Sequence, residues 1–163
     1  MTKLSEDKGA VLIMLRIRGS VAISKELEYV FRLLHLTRKN HATIIAGNPS
    51  YLGMIQKVKD YATWGEASSE TISLLLKERG FLKGNKKLTD DYVKENLGYG
   101  SVDELSEAIS NSKADFLKLP QVKPVLRLHP PRGGFHGSTK KPYPEGELGY
   151  RGESINKLVK EMV

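Results

Sequence analysis

Residues Ala10-Val11-Leu12-Ile13-Met14-Leu15-Arg16-Ile17-Arg18-Gly19 set the fold. Alternate side chains of an extended chain point to opposite sides, so Val11, Ile13, Leu15 and Ile17 form one unbroken apolar face. The other face carries Leu12 and Met14 and turns basic at Arg16 and Arg18. Such a strand suits a half-covered sheet, one face on protein and the other beside a polyanion. Gly19 ends it. Outward from there, Ser24 is placed to cap a helix in which Leu27, Val30, Phe31 and Leu34 share one side, finishing near His35 and Leu36. Ala42–Ala46, with Thr43, Ile44 and Ile45, reads as a second buried strand. Asn48-Pro49 starts another helix, because a proline in the first turn gives up an N–H that has no partner there. Leu52, Ile55 and Val58 give it one apolar side, and a third strand near Tyr61–Trp64 completes a β-α-β-α-β unit.

The pattern changes after Gly65. Ser68 or Ser69 can cap a helix over Thr71–Arg79, Thr89 one over Asp90–Leu97, and Ser101-x-x-Glu104 forms a capping box for Val102–Ile109. Three short helices are marginal alone, so they are expected to pack on the first unit. A short strand at Val125–His129 leads into Pro130-Pro131-Arg132-Gly133-Gly134-Phe135-His136-Gly137, which reads as an exposed loop. A last helix is expected over Ser154–Met162. Three segments follow: an 8–65 core, a 66–115 helical insertion, and 116–163 with a strand, a basic loop and a terminal helix.

Charge follows the same division. Of a net +7, residues 1–65 and 116–163 each carry +5, whereas 66–115 carry −3. Tyr29–Lys59 and Pro120–Lys141 contain no acid at all. Lys and Arg near phosphates release condensed counterions, so two basic windows around an acidic insert point to a nucleic-acid surface, with the middle turned away from it. There are no cysteines, which excludes disulfides, thiolate catalysis and Cys-ligated zinc. No apolar run approaches the roughly 20 residues of a membrane span, and a soluble intracellular protein is expected.

Enzymatic chemistry finds little purchase. The four histidines (His35, His41, His129, His136) are too scattered to collect a metal, and no cofactor is expected. Gly80-Phe-Leu-Lys-Gly84 is one residue short of a phosphate loop and lacks its lysine. Arg38 and Asn40 would suit an acyl-phosphate site of a small enzyme, but no glycine-rich cradle precedes a helix to receive the phosphate. A free-standing regulatory RNA or DNA binder is the other alternative. Arginine at element ends suits phosphate through its planar fork. In the 129–141 loop, cations and glycines sit with Phe135, His136 and nearby Tyr143, which can stack on unpaired bases or, for Phe135, fold the loop onto the domain.

The runs Leu12-Ile-Met-Leu-Arg-Ile-Arg-Gly19, Leu33-Leu-His-Leu-Thr-Arg-Lys-Asn-His-Ala42 and Asn48–Glu66 resemble the ribosomal protein L-thirty family of the large subunit. So do Arg127-Leu-His-Pro-Pro-Arg-Gly-Gly-Phe135 and Leu148-Gly-Tyr-Arg-Gly-Glu153. The resemblance runs from about Lys8 to the C-terminus. The insertion and tail match the long archaeal and eukaryotic form, and the absence of a long basic leader favours the archaeal one. It implies an α+β fold: a three-stranded antiparallel sheet with two helices on one face (a ferredoxin-like half), plus the helical insertion and basic extension. It also implies a structural role in the cytoplasmic ribosome, binding large-subunit rRNA near the 5S rRNA region beside neighbouring ribosomal proteins, with no membrane. Carried over as RNA contacts are Arg16, Arg18, Arg38, Lys39, Asn40, Lys57, Lys59, Arg127, Arg132, Lys140 and Arg151; Asn40 can instead hold the turn before the second strand. The 130–147 loop is expected to lack order without RNA.

Overall fold

Strand β1 (Val11–Arg16) lies in the middle of the sheet and is buried on both sides, as its doubled apolar pattern requires. The computed structural model describes residues 9–163, so Lys8, the first residue of the expected core, lies outside the described residues. Helix α1 (Lys25–Leu33) starts where the Ser24 hydroxyl accepts from the Leu27 N–H. Strand β2 (His41–Ala46) pairs antiparallel with β1, Val11 facing Ala46 and Leu15 facing Ala42. Helix α2 (Pro49–Lys57) opens with its proline but without a side-chain cap from Asn48. Strand β3 (Ala62–Glu66) returns antiparallel on the other side of β1, with Arg16 opposite Ala62. Helices α1 and α2 cover one sheet face. Phe31, Leu34, Ile55 and Val58 meet Leu12, Met14, Ile45 and Trp64 there.

The sheet has six strands rather than the expected three. Strand β4 (Leu126–Arg127) pairs antiparallel with β2, and β6 (Gly146–Tyr150) pairs parallel with β3 and carries β5 (Ser138–Pro142) outside it, giving the order β4-β2-β1-β3-β6-β5. The physical reason lies in the edges. A three-stranded core would leave the outer N–H and C=O rows of β2 and β3 unpaired, and the C-terminal segment supplies partners to both. Pro130–Gly137 carries no strand, but the longer 130–147 stretch, expected to lack order without RNA, holds β5 and the first two residues of β6.

The second face of β1 is covered as well, which corrects the half-covered sheet. Helix α3 (Ser69–Arg79), capped by Ser68, packs against α5 (Val102–Ser110), capped by Ser101. Between them α4 (Asp90–Tyr92) runs into a wide π-type turn, Val93–Leu97, closed by left-handed Gly98. Helix α6 (Ser154–Met162) adds Ile155, Leu158, Val159 and Met162. These residues bury Val11, Ile13, Leu15, Ile17 and Ile44 in a core drawn from all three sequence segments. Leu12 and Met14 thus face helices, and nucleic acid has no access to either face of β1. No helix among the described residues is long and apolar enough to cross a membrane.

Candidate nucleic-acid interface

The register decides which cations meet. Arg16 lies opposite Ala62, Leu15 opposite Ala42, and His41 opposite Arg127, so the exit of β1, the entries of β2 and β3 and the end of β4 share one end of the sheet. Arg18, Arg38, Lys39, Asn40 and Arg127 gather there from three separate segments. Backbone bonds lock them: the Asn40 N–H donates to the Arg16 carbonyl at 2.8 Å, and the Leu128 N–H to the Asn40 carbonyl at 3.1 Å. Arg18 donates to the Asp60 carbonyl at 3.1 Å and lies 4.8 Å from the centre of the Tyr61 ring. Arg18, Lys39, Tyr61 and Thr139 line a shallow cleft of about 250 Å³, so β5 reaches the same end. Lys57 and Lys59 follow from the end of α2; both are exposed, and Lys57 lies 3.6 Å from Glu26 across the helix pair.

Two of the expected contacts are turned inward. Arg16 is 1% exposed, and donates to the Leu36 carbonyl at 2.8 Å, the Arg18 carbonyl at 2.9 Å and the Ser20 hydroxyl at 3.2 Å. Its guanidinium rests 4.1 Å from the centre of the Phe31 ring. Arg151 is 8% exposed; it donates to the Thr63 hydroxyl at 2.9 Å and pairs with Glu147 at 2.5 Å. Glu147 in turn accepts from the Gly137 N–H at 2.8 Å. Both arginines therefore brace loops: Arg16 ties the β1 exit to the end of α1, and Arg151 ties β3 to the glycine loop. Burial, rather than a shortage of N–H donors, keeps both from phosphate. Asn40, at φ +64, holds the turn before β2 in the left-handed conformation that Asn tolerates better than most residues. Its Oδ1 is buried without a partner.

Arg38, Lys39, Arg127, Arg132 and Lys140 are exposed. Among the described residues none of these, nor Arg18 or Lys59, has a carboxylate within ion-pair distance. The ribbon carrying Arg132 and Lys140 leaves β4, passes the end of α6 through bonds from His129 and Arg132 N–H to the Met162 and Glu161 carbonyls, and continues to β5. Sequence reasoning missed His41. Burial first, then the charges of Arg127, Arg38 and Arg16, hold its pKa below the usual histidine value of 6.5. It thus reports the crowding of positive charge, and its only signal in the sequence was its place directly after Arg38-Lys39-Asn40. Glu147 was missed too, although its spacing of four from Arg151 was visible.

Fold and site define a class: a basic α+β protein whose central strands are covered on both faces and which gathers Arg18, Arg38, Lys39 and Arg127, without acidic partners, at one sheet end. The profile of the family Ribosomal protein L30p/L7e matches residues 12–62, from β1 through α2 to the first residue of β3. Over the longer chain there is similarity to proteins named large ribosomal subunit protein uL30. One from Methanosphaera stadtmanae is 50% identical over 151 residues (92% of this chain, 98% of that protein). One from Methanopyrus kandleri is 47% identical over 149 residues (90% and 100%), and one from Archaeoglobus fulgidus 46% over 149 (91% and 97%). The chain belongs to the L30p/L7e family of ribosomal proteins.

Proposed function

We propose that this chain is a structural, non-catalytic constituent of the large ribosomal subunit that binds large-subunit rRNA through the cationic end of its sheet. Family membership supports the ribosomal role. The observation that carries the binding mode is the convergence of Arg18, Arg38, Lys39 and Arg127 at one sheet end, without acidic partners. Uncompensated cations fixed by backbone hydrogen bonds are preorganised for phosphate, and each contact releases counterions. Lys57, Lys59, Arg132 and Lys140 extend the surface along α2 and the β4–β5 ribbon. Arg16, Asn40 and Arg151 serve by positioning it. The 5S rRNA region is the part of the subunit we assign to this surface, with neighbouring ribosomal proteins around it, in the cytoplasm.

The test is fractionation. Expressed in an archaeal cell, the chain should sediment with large subunits and remain there after a wash in moderate salt. Footprints of the bound protein should fall on large-subunit rRNA close to 5S rRNA. Recovery of the chain mainly as free protein would overturn the reading.

A further inference from the structure

A second concave site lies between the glycine loop, the β5–β6 connection and α6. It is a cleft of about 420 Å³ lined by Phe135, His136, Tyr143, Arg151, Lys157 and Glu161 among others. Phe135 is partly buried on the core and anchors the loop; His136 is exposed, and Tyr143, 41% exposed, presents the phenol ring. That ring is held rigidly. Its hydroxyl meets the Ser154 hydroxyl at 3.2 Å, its N–H donates to the Leu148 carbonyl at 2.8 Å, and the buried Arg151 guanidinium lies 5.2 Å from its centre. An exposed aromatic fixed at so many points has lost its conformational freedom before any ligand arrives.

The polar groups of the cleft narrow the ligand. Three carboxylates line it, which disfavours phosphate. Two of them are already engaged, Glu145 by Lys141 at 3.7 Å and Glu147 by Arg151. Glu161 and Lys157, one turn apart on α6, have no ion-pair partner among the described residues, not even each other. The cleft thus offers a free carboxylate and a free ammonium beside an aromatic platform. A guanine edge has the matching set: an N1–H and an N2 amino group that donate, next to an O6 that accepts.

We propose that this cleft takes one unstacked guanine of the large-subunit rRNA, laid on Tyr143, with Glu161 accepting from N1–H and N2 and Lys157 donating to O6. This assignment rests on the ribosomal reading and adds a base-specific contact to a surface otherwise built for phosphates.

The experiment uses the full chain, deproteinised large-subunit rRNA and a reagent that modifies the Watson–Crick edge of unpaired guanines. Wild type should protect one guanine that Tyr143→Leu and Glu161→Gln leave reactive. Tyr143→Leu should weaken binding about tenfold with an unchanged salt slope, since stacking releases no counterions. Tyr143→Phe, which keeps the ring and loses only the Ser154 bond, should retain the protection. Identical guanine patterns for wild type and Tyr143→Leu would overturn the proposal while leaving the ribosomal reading intact. So would loss of protection in Tyr143→Phe equal to that in Tyr143→Leu, because loop geometry rather than stacking would then be at work. Failure of the wild type to protect any part of the rRNA would sink the ribosomal reading and this proposal with it.

Discussion

Arg16 directs its charge inward, and that decides what its removal does. A lysine there cannot reproduce three hydrogen bonds to the Leu36, Arg18 and Ser20 oxygens. Arg16→Lys should cost about 2 kcal/mol in urea denaturation, as buried acceptors lose a charged donor, while leaving the salt slope of rRNA binding unchanged. A reduced slope would mean that Arg16 touches phosphate after all. Glu147 acts on pH. Burial by itself would raise its pKa, but the hydrogen bonds from Arg151 and the Gly137 N–H and the charge of Arg151 outweigh it and hold the carboxyl below its usual value of 4.5. Its contribution is therefore fully present above that pH and is lost as pH falls through the depressed folded value. Glu147→Gln should flatten that acid limb of the stability curve. His41 has the opposite consequence for binding. Phosphates placed over Arg38 and Arg127 would offset the charges that add to burial in holding its pKa down, so binding is expected to take up a proton. Affinity for rRNA should rise as pH falls from about 7.5 to about 5.5, and His41→Asn should abolish the rise. A pH-independent affinity in the wild type contradicts this.

Between elements, the decisive junction is β3 against the start of α6. A Cβ on Gly65 would run into the Gly152 carbonyl and the Ile155 side chain, so α6 docks only because that position has no side chain. Gly65→Ala should cost about 3 kcal/mol and lower hydrogen-exchange protection across α6 before α1. Equal loss in both helices would mean that α6 is not a separate layer. The core elements were legible because local chemistry and tertiary packing agree: Ser24, Ser68, Thr89 and Ser101 all cap where their spacing says they should. Strands β5 and β6 were not legible. Ser138–Pro142 is mostly exposed and lacks apolar alternation, so it is a strand through pairing with β6 rather than through burial. Leu12 and Met14 carried the sign of a second covering layer, yet the arginines following them suggested an open face. The burial of Arg16 and Arg151 was equally hidden, because their acceptors, Leu36, Thr63 and Glu147, reach them only through the tertiary fold or a turn. What the sequence did expose of the site was the acid-free run from Tyr29 to Lys59 that supplies Arg38 and Lys39.

Taken whole, the molecule separates its charge by direction. Arg38, Lys39 and Arg127 crown one end of the sheet; Lys118 sits by the opposite end with Gly47 and Asn48, and Lys94 and Lys113 lie on the acidic insertion or directly after its last helix. Helices cover both faces of the central strands, which leaves the cationic end and the ribbon beyond β4 as the surface for rRNA. The direct measurement is the salt dependence of affinity for deproteinised large-subunit rRNA, comparing wild type with two triple variants of equal charge change. Arg38, Lys39 and Arg127 changed together to Ala should reduce the slope of log affinity against log salt by about two to three units. Lys94, Lys113 and Lys118 changed together to Ala should leave it near the wild-type value. Equal reductions in the two triples, or none in the first, would contradict the placement of the rRNA surface at this end of the sheet.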